Sequence, residues 1–175
     1  MSRRQIAIIV LVLIAISAIW FLRPKPAITP AANGESSQAA PAFELPSALT
    51  NESFSLAQFQ GKVRVLSFWA TWCGPCRMEL PSLIRLQQEL GPQGLQVLGM
   101  NVDENQNDVR NFASQIHFNF PILVANAKIA DDYGGVSSIP TLVVIDRKGQ
   151  VVEMAEGVVE EESLRQLVVK LLAEK

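Results

Sequence analysis

The chain's only two cysteines stand three positions apart, in Trp72-Cys73-Gly74-Pro75-Cys76. Thiols at that spacing can open and close as a disulfide, so reversible thiol–disulfide exchange is the first chemistry these residues offer. The apolar run Val63 to Ala70 reads as a strand directly before the pair, and a helical pattern follows it. A loop between strand and helix puts Cys73 at a helix start, where free backbone N–H groups and the positive end of the dipole favour a thiolate. Free cysteine titrates near about 8.5 and C-x-x-C cysteines near about 7, so such a site favours the anion by roughly 2 kcal/mol.

Other uses of the pair separate on residue count. Structural zinc needs about four ligands, and beyond the two thiols the chain offers a single histidine, His117. That histidine is far from the cysteines in sequence and flanked by aromatics, so it reads as a surface or partly packed imidazole. Haem attachment would need histidine after the second cysteine, where Arg77 stands. An inert structural disulfide closing so small a loop would restrain the unfolded chain little. A Cu(I)-carrying dithiol stays open, because soft thiolates suit that ion. No nicotinamide or flavin motif accompanies the pair, so neither a bound cofactor nor a metal is expected. The net charge of −2 and the absence of a basic face argue against nucleic acid.

The elements that must hold the pair follow from periodicity. Val63 to Ala70 and Leu95 to Val102 are near-continuous apolar runs, the pattern of strands buried on both faces. Between them Leu80, Leu83, Ile84 and Leu90 face one side of a helix that contains Pro81, which removes a backbone donor and should bend it. Gly91-Pro92-Gln93-Gly94 stops that helix. Val109, Phe112, Ala113 and Ile116 mark a short amphipathic helix, Ile122 to Val124 a strand, and Lys128 to Tyr133 a helical turn. Thr141 to Asp146 and Val151 to Glu156 form a hairpin across Arg147-Lys148-Gly149-Gln150. Leu164, Leu167, Val168, Leu171 and Leu172 form a closing helix with acidic residues at its start and Lys170 near its end. The alternation implies a parallel sheet layered by helices, and the hairpin adds an antiparallel part, so the fold class is α/β.

Residues 1–23 read as a membrane anchor. Arg3 and Arg4 precede an apolar run from Ile6 to Leu22, and Arg23 and Lys25 follow it. At about 1.5 Å per residue the run covers roughly 25 Å, and flanking arginines can snorkel toward a core of about 30 Å. The competing reading is a cleaved signal peptide, but Trp20, Phe21 and Leu22 extend the run where small residues would mark cleavage. Residues 24–41, rich in proline, alanine and serine, read as a linker too poor in large apolar side chains to repay its own ordering. Residues 42–175 then make one domain.

With these motifs together, the chain resembles the thioredoxin superfamily, and more narrowly its membrane-anchored TlpA/ResA-like branch. The marks are Gly61-Lys62, Ser67 through Cys76 with Glu79 and Pro81 following, and Ser138-Ile139-Pro140-Thr141 before Asp146 and Gly149. The segment 105–124 looks like an insertion of the same branch. The resemblance implies a thioredoxin-like three-layer sandwich with a mixed central sheet, preceded by an N-terminal transmembrane helix. It also implies a cis peptide before Pro140 and a place for that proline next to Cys73. Without the resemblance, Pro140 reads equally as a proline at the start of a strand.

Glu79 lies one helical turn beyond Cys76, where an inward-facing carboxylate could pass a proton to or from a buried thiol, while an outward-facing one would only be solvated. Many thioredoxins carry an aspartate at the strand position held here by Ser67, and that departure moves the expected relay to Glu79. The resemblance further implies an inner-membrane, single-pass protein with its catalytic domain on the periplasmic side. Its substrates would be disulfide-bearing proteins, for example in cytochrome c maturation, and its electrons would come from a membrane thiol donor. Cys73 would attack, Cys76 would resolve, and Trp72, Gly74, Pro75, Ile139 and Pro140 would frame the substrate. Gly-Pro between the cysteines is similar to reducing thioredoxins near about −270 mV rather than strong oxidants near about −120 mV, which favours a reductase over a general oxidant or isomerase. A peroxidase is disfavoured, because a peroxiredoxin-like pattern wants threonine three residues before the nucleophile and Ala70 stands there.

Overall fold

The computed structural model describes residues 38–174. The expected anchor over 1–23 and most of the expected linker lie outside them. Among the described residues no helix is long and apolar enough to cross a membrane.

The two apolar runs that read as buried strands are β4 (Val63–Trp69) and β5 (Leu95–Asn101), paired in parallel with Val65 opposite Val97, and every residue of both is buried. Because successive side chains point to opposite faces, Val63, Val65, Trp69 and Val97 join one core, whereas Leu66, Phe68, Leu98 and Met100 join another. The first core is covered by the helices α1 (Gly74–Leu90) and α4 (Glu161–Ala173) and receives Val109 of α2 (Gln106–Ala113). The second is covered by α3 (Ala127–Asp132) and by residues near the start of the domain, including Phe43, Leu45 and Leu56. Helices, sheet and second cover make three layers, as alternating strands and helices predict.

The sheet also contains β1 (Gln38–Ala39), β6 (Ile122–Val124), β7 (Thr141–Ile145) and β8 (Gln150–Glu156), in the order β1-β8-β7-β4-β5-β6. β6 runs parallel to β5, while β7 is antiparallel to both β4 and β8, so the sheet is mixed as expected. Its edge strand β1 (Gln38–Ala39) pairs with β8 inside the stretch 24–41 that reads as linker. Tyr133 then donates its hydroxyl to the Pro41 carbonyl at 2.8 Å. Backbone pairing, this hydrogen bond and the packing of Ala40 against the second core bring those residues into the domain. A small antiparallel pair, β2 (Glu44–Pro46) and β3 (Ser53–Ser55), leads into a 3₁₀ turn at Leu56–Phe59, and none of these short pieces has enough residues to show a period.

α1 continues through Pro81. The proline forgoes one intrahelical bond, but Leu80, Leu83, Leu86 and Leu90 on the buried face hold the helix against the sheet. Gly94 closes the turn after it with φ +111°, a left-handed conformation that glycine adopts without a Cβ clash.

Candidate active site

β4 delivers the chain to the carboxyl end of the sheet, where ligands of open α/β sheets bind. After Trp69 the chain turns, and Cys73 becomes the N-cap of α1, with Gly74 and Pro75 as the first helical residues. Proline suits that place because its missing N–H would have no intrahelical partner there. The Cys76 N–H reaches the Cys73 sulfur at 3.2 Å, and the two cysteines are joined as a disulfide. Cys73 is 5% exposed and Cys76 1%, so both are buried, Cys76 the more completely. Trp72, 71% exposed, stands beside them.

From the adjacent strand, the loop before β7, which runs antiparallel to β4, brings Ile139 to the pair. The Ile139–Pro140 peptide is cis, and the Ile139 carbonyl oxygen lies 3.8 Å from the Cys73 sulfur. The loop is held by the Thr141 hydroxyl donating to the Ser138 carbonyl at 2.8 Å and by the Gly157 N–H donating to the Pro140 carbonyl at 2.8 Å.

Glu79 faces inward. It is 3% exposed, its Oε1 accepts the Val159 N–H at 3.1 Å, and its Oε2 has no hydrogen-bond partner among the described residues. Burial pushes its carboxyl up to about 7, against the smaller opposing pull of the Val159 hydrogen bond. A carboxyl in that range can change protonation near neutral pH. Ser67 is buried, and its hydroxyl likewise has no partner. His117 lies exposed on the loop after α2, away from any group of metal-binding side chains; no cluster of three His, Cys, Asp or Glu forms among the described residues.

Sequence reasoning missed Asp103. Its Oδ2 accepts the Thr71 N–H at 2.8 Å and Asn101 Nδ2 at 2.7 Å, and its Oδ1 accepts the Thr71 hydroxyl at 2.8 Å. The Val102 N–H donates to the Trp69 carbonyl at 3.0 Å. The end of β5 therefore clamps the turn that leads to Cys73. The available signal was Asn101-x-Asp103, two polar residues closing a strand whose remaining residues, Gln96 apart, carry no polar side chain. The segment 105–124 supports the same turn from below, with Phe112 and Phe118 each 5.6 Å from the Trp69 ring and the Arg77 guanidinium 5.4 Å above Phe112.

The geometry assembles a disulfide at a helix start, with one cysteine almost fully buried, and a polypeptide segment beside it. Residues 37–154 match the AhpC/TSA family model. The chain belongs to the AhpC/TSA family. Among its relatives in that thioredoxin-like group, it is 37% identical over 132 residues to the thioredoxin-like protein YneN of Bacillus subtilis, covering 74% of this chain and 76% of that one. It is 34% identical over 127 residues to the thiol-disulfide oxidoreductase ResA of Geobacillus thermodenitrificans, covering 73% and 72%. The crystal structure of a thiol:disulfide interchange protein of the thioredoxin family from Chlorobium tepidum superposes with a TM-score of 0.74 at 27% identity, over 81% of this chain and all of that one. This AhpC/TSA member therefore has a thioredoxin-like α/β fold and is a thiol-disulfide oxidoreductase. Position 70, three residues before Cys73, is a fully buried alanine.

Proposed function

We propose that the protein is a membrane-tethered, extracytoplasmic reductase of protein disulfides, working through a Cys73/Cys76 dithiol. The observation that carries this reading is the position of Cys73, at the start of α1 and within 3.8 Å of the Ile139 carbonyl, with Cys76 and Glu79 buried behind it. In the reduced protein the Cys73 thiolate attacks one sulfur of a substrate disulfide, forming a Cys73–substrate disulfide and releasing the other substrate sulfur as a thiolate that takes up a proton. Glu79, as carboxylate, accepts the Cys76 proton. The Cys76 thiolate then attacks Cys73, closing the intramolecular disulfide and freeing the second substrate sulfur. That sulfur takes the proton Glu79 had accepted, so the substrate gains the dithiol's two electrons and two protons, one by way of Glu79 and one from solvent, the latter matching the proton Cys73 released on ionising. The backbone at Ile139 pairs with an extended substrate as one added strand would, and Trp72 flanks it.

Residues 1–23 supply the tether, and a membrane thiol donor returns the electrons. Apocytochrome c haem-site cysteines and oxidised copper-site proteins are the two substrate classes that the ResA-like resemblance suggests. Cys76→Ser in the full chain should accumulate a mixed disulfide at Cys73 with a disulfide peptide, visible by mass spectrometry and released by dithiothreitol. Failure to accumulate it, under conditions where the parent reduces the peptide, would overturn the mechanism. A reduction potential close to that of strong oxidants, near about −120 mV, would overturn the direction.

A further inference from the structure

A cavity of about 410 Å³ opens beside the reactive pair, within the size range of ligand sites. Trp72 and Ile139 form its inner wall, next to Cys73, and Val102, Ala130 and Val136 make much of the rest apolar. Asp131 is the one charged residue of the lining.

Among the described residues the charge of Asp131 has no partner. Its neighbour Asp132 is held by Lys128, the cation one turn away, whereas no ion pair or side-chain hydrogen bond reaches the Asp131 carboxylate among the described residues. Asp131 also sits in the last turn of α3, where the helix dipole disfavours a negative charge. The cavity thus presents one uncompensated carboxylate on an otherwise uncharged wall. Ile139 belongs both to that wall and to the contact with the Cys73 sulfur. An extended chain advances about 3.3 Å per residue, so a polypeptide whose cysteine meets Cys73 brings a residue flanking that cysteine to the cavity mouth.

We propose that this cavity seats the side chain flanking the attacked cysteine of a substrate polypeptide and that Asp131 selects lysine or arginine there. The inference rests on the dithiol reading above and adds a specificity to it. A basic side chain fits on both counts, with an apolar stem along the wall and a charged head at the carboxylate.

The test uses the reduced full chain in detergent and three short peptides, each with one intramolecular disulfide, carrying lysine, alanine or glutamate next to the attacked cysteine. Single-turnover rates should fall in the order lysine, alanine, glutamate, with roughly two- to fivefold between the first two, the size of an exposed charge pair. Raising the salt to 1 M should shrink that spread, because the Debye length falls to about 3 Å. Asp131→Asn should collapse the lysine-to-glutamate ratio and Asp131→Lys should invert it. These ratios, measured on one preparation, do not depend on how much of a variant is folded. Reduction of all three peptides at equal rates, or an unchanged ratio in Asp131→Asn, overturns the specificity and leaves the dithiol mechanism standing. No reduction of any peptide by the parent protein overturns both.

Discussion

The Glu79 carboxylate and the Val159 backbone N–H, 3.1 Å apart, join α1 to the loop before α4 in the buried interior behind Cys76. The hydrogen bond satisfies one carboxylate oxygen, and the other is buried without a partner. An acceptor site for a proton is thereby held one helical turn from the resolving cysteine.

The first consequence is kinetic. Between pH 5 and 9, resolution of the mixed disulfide should speed up as Glu79 ionises through about 7 and then level off. Glu79→Gln should lose that inflection and resolve about 100-fold more slowly at neutral pH, the lower range for loss of a general base. Stopped-flow single turnovers with a peptide disulfide check this, and matching profiles for the two proteins would remove Glu79 from the proton path.

The second is thermodynamic. The Glu79 carboxyl binds its proton more tightly folded, with its pKa raised from 4.5 to about 7, than unfolded. Its contribution to stability is therefore complete below about pH 4.5 and is lost as pH rises through about 7. The loss is on the order of 3 kcal/mol. Urea unfolding of the oxidised protein at pH 5 and pH 8 should show the parent falling relative to Glu79→Gln by that order, and parallel pH dependences would contradict the assignment.

A third expectation concerns Asp103. Asp103→Ala leaves the Thr71 and Asn101 donors without their acceptor and should cost about 3 kcal/mol, because several buried donors lose their partner at once. Asp103→Asn should cost less than about 1 kcal/mol. Its amide oxygen can take the two N–H donors, and its amide nitrogen can donate to the Thr71 hydroxyl. Equal losses in the two variants, measured by denaturant titration, would show that charge rather than hydrogen-bond geometry holds the turn.

Gly99 supplies a fourth. A Cβ there would lie 3.0 Å from the Trp69 indole nitrogen and 2.6 Å from Ile122 Cδ1. The isoleucine tip can rotate, but Trp69 is fully buried among Phe112 and Phe118. Gly99→Ala should therefore destabilise by about 1–3 kcal/mol, read as a drop in the unfolding midpoint. A neutral result would mean that the aromatic cluster yields.

Local chemistry determined much of this protein. Cysteines three apart after an apolar strand, glycine and proline at the helix stop and a leucine stripe at helical spacing are written in consecutive residues. Strand alternation and helical period therefore revealed β4, β5, α1 and α4 directly, and the resemblance anticipated the cis peptide at Ile139–Pro140. The apolar spacing showed which face of α1 turns inward, but tertiary structure alone decided that Glu79 goes with it, since a glutamate ordinarily prefers solvent and the distant Val159 N–H supplies its one hydrogen bond there. It also decided that Asp103 clamps Thr71 and that Gln38 and Ala39 pair with β8, because these contacts bridge gaps of many residues that no local period records. Elements of two or three residues show no repeat of their own, so their place depends on the sheet that accepts them.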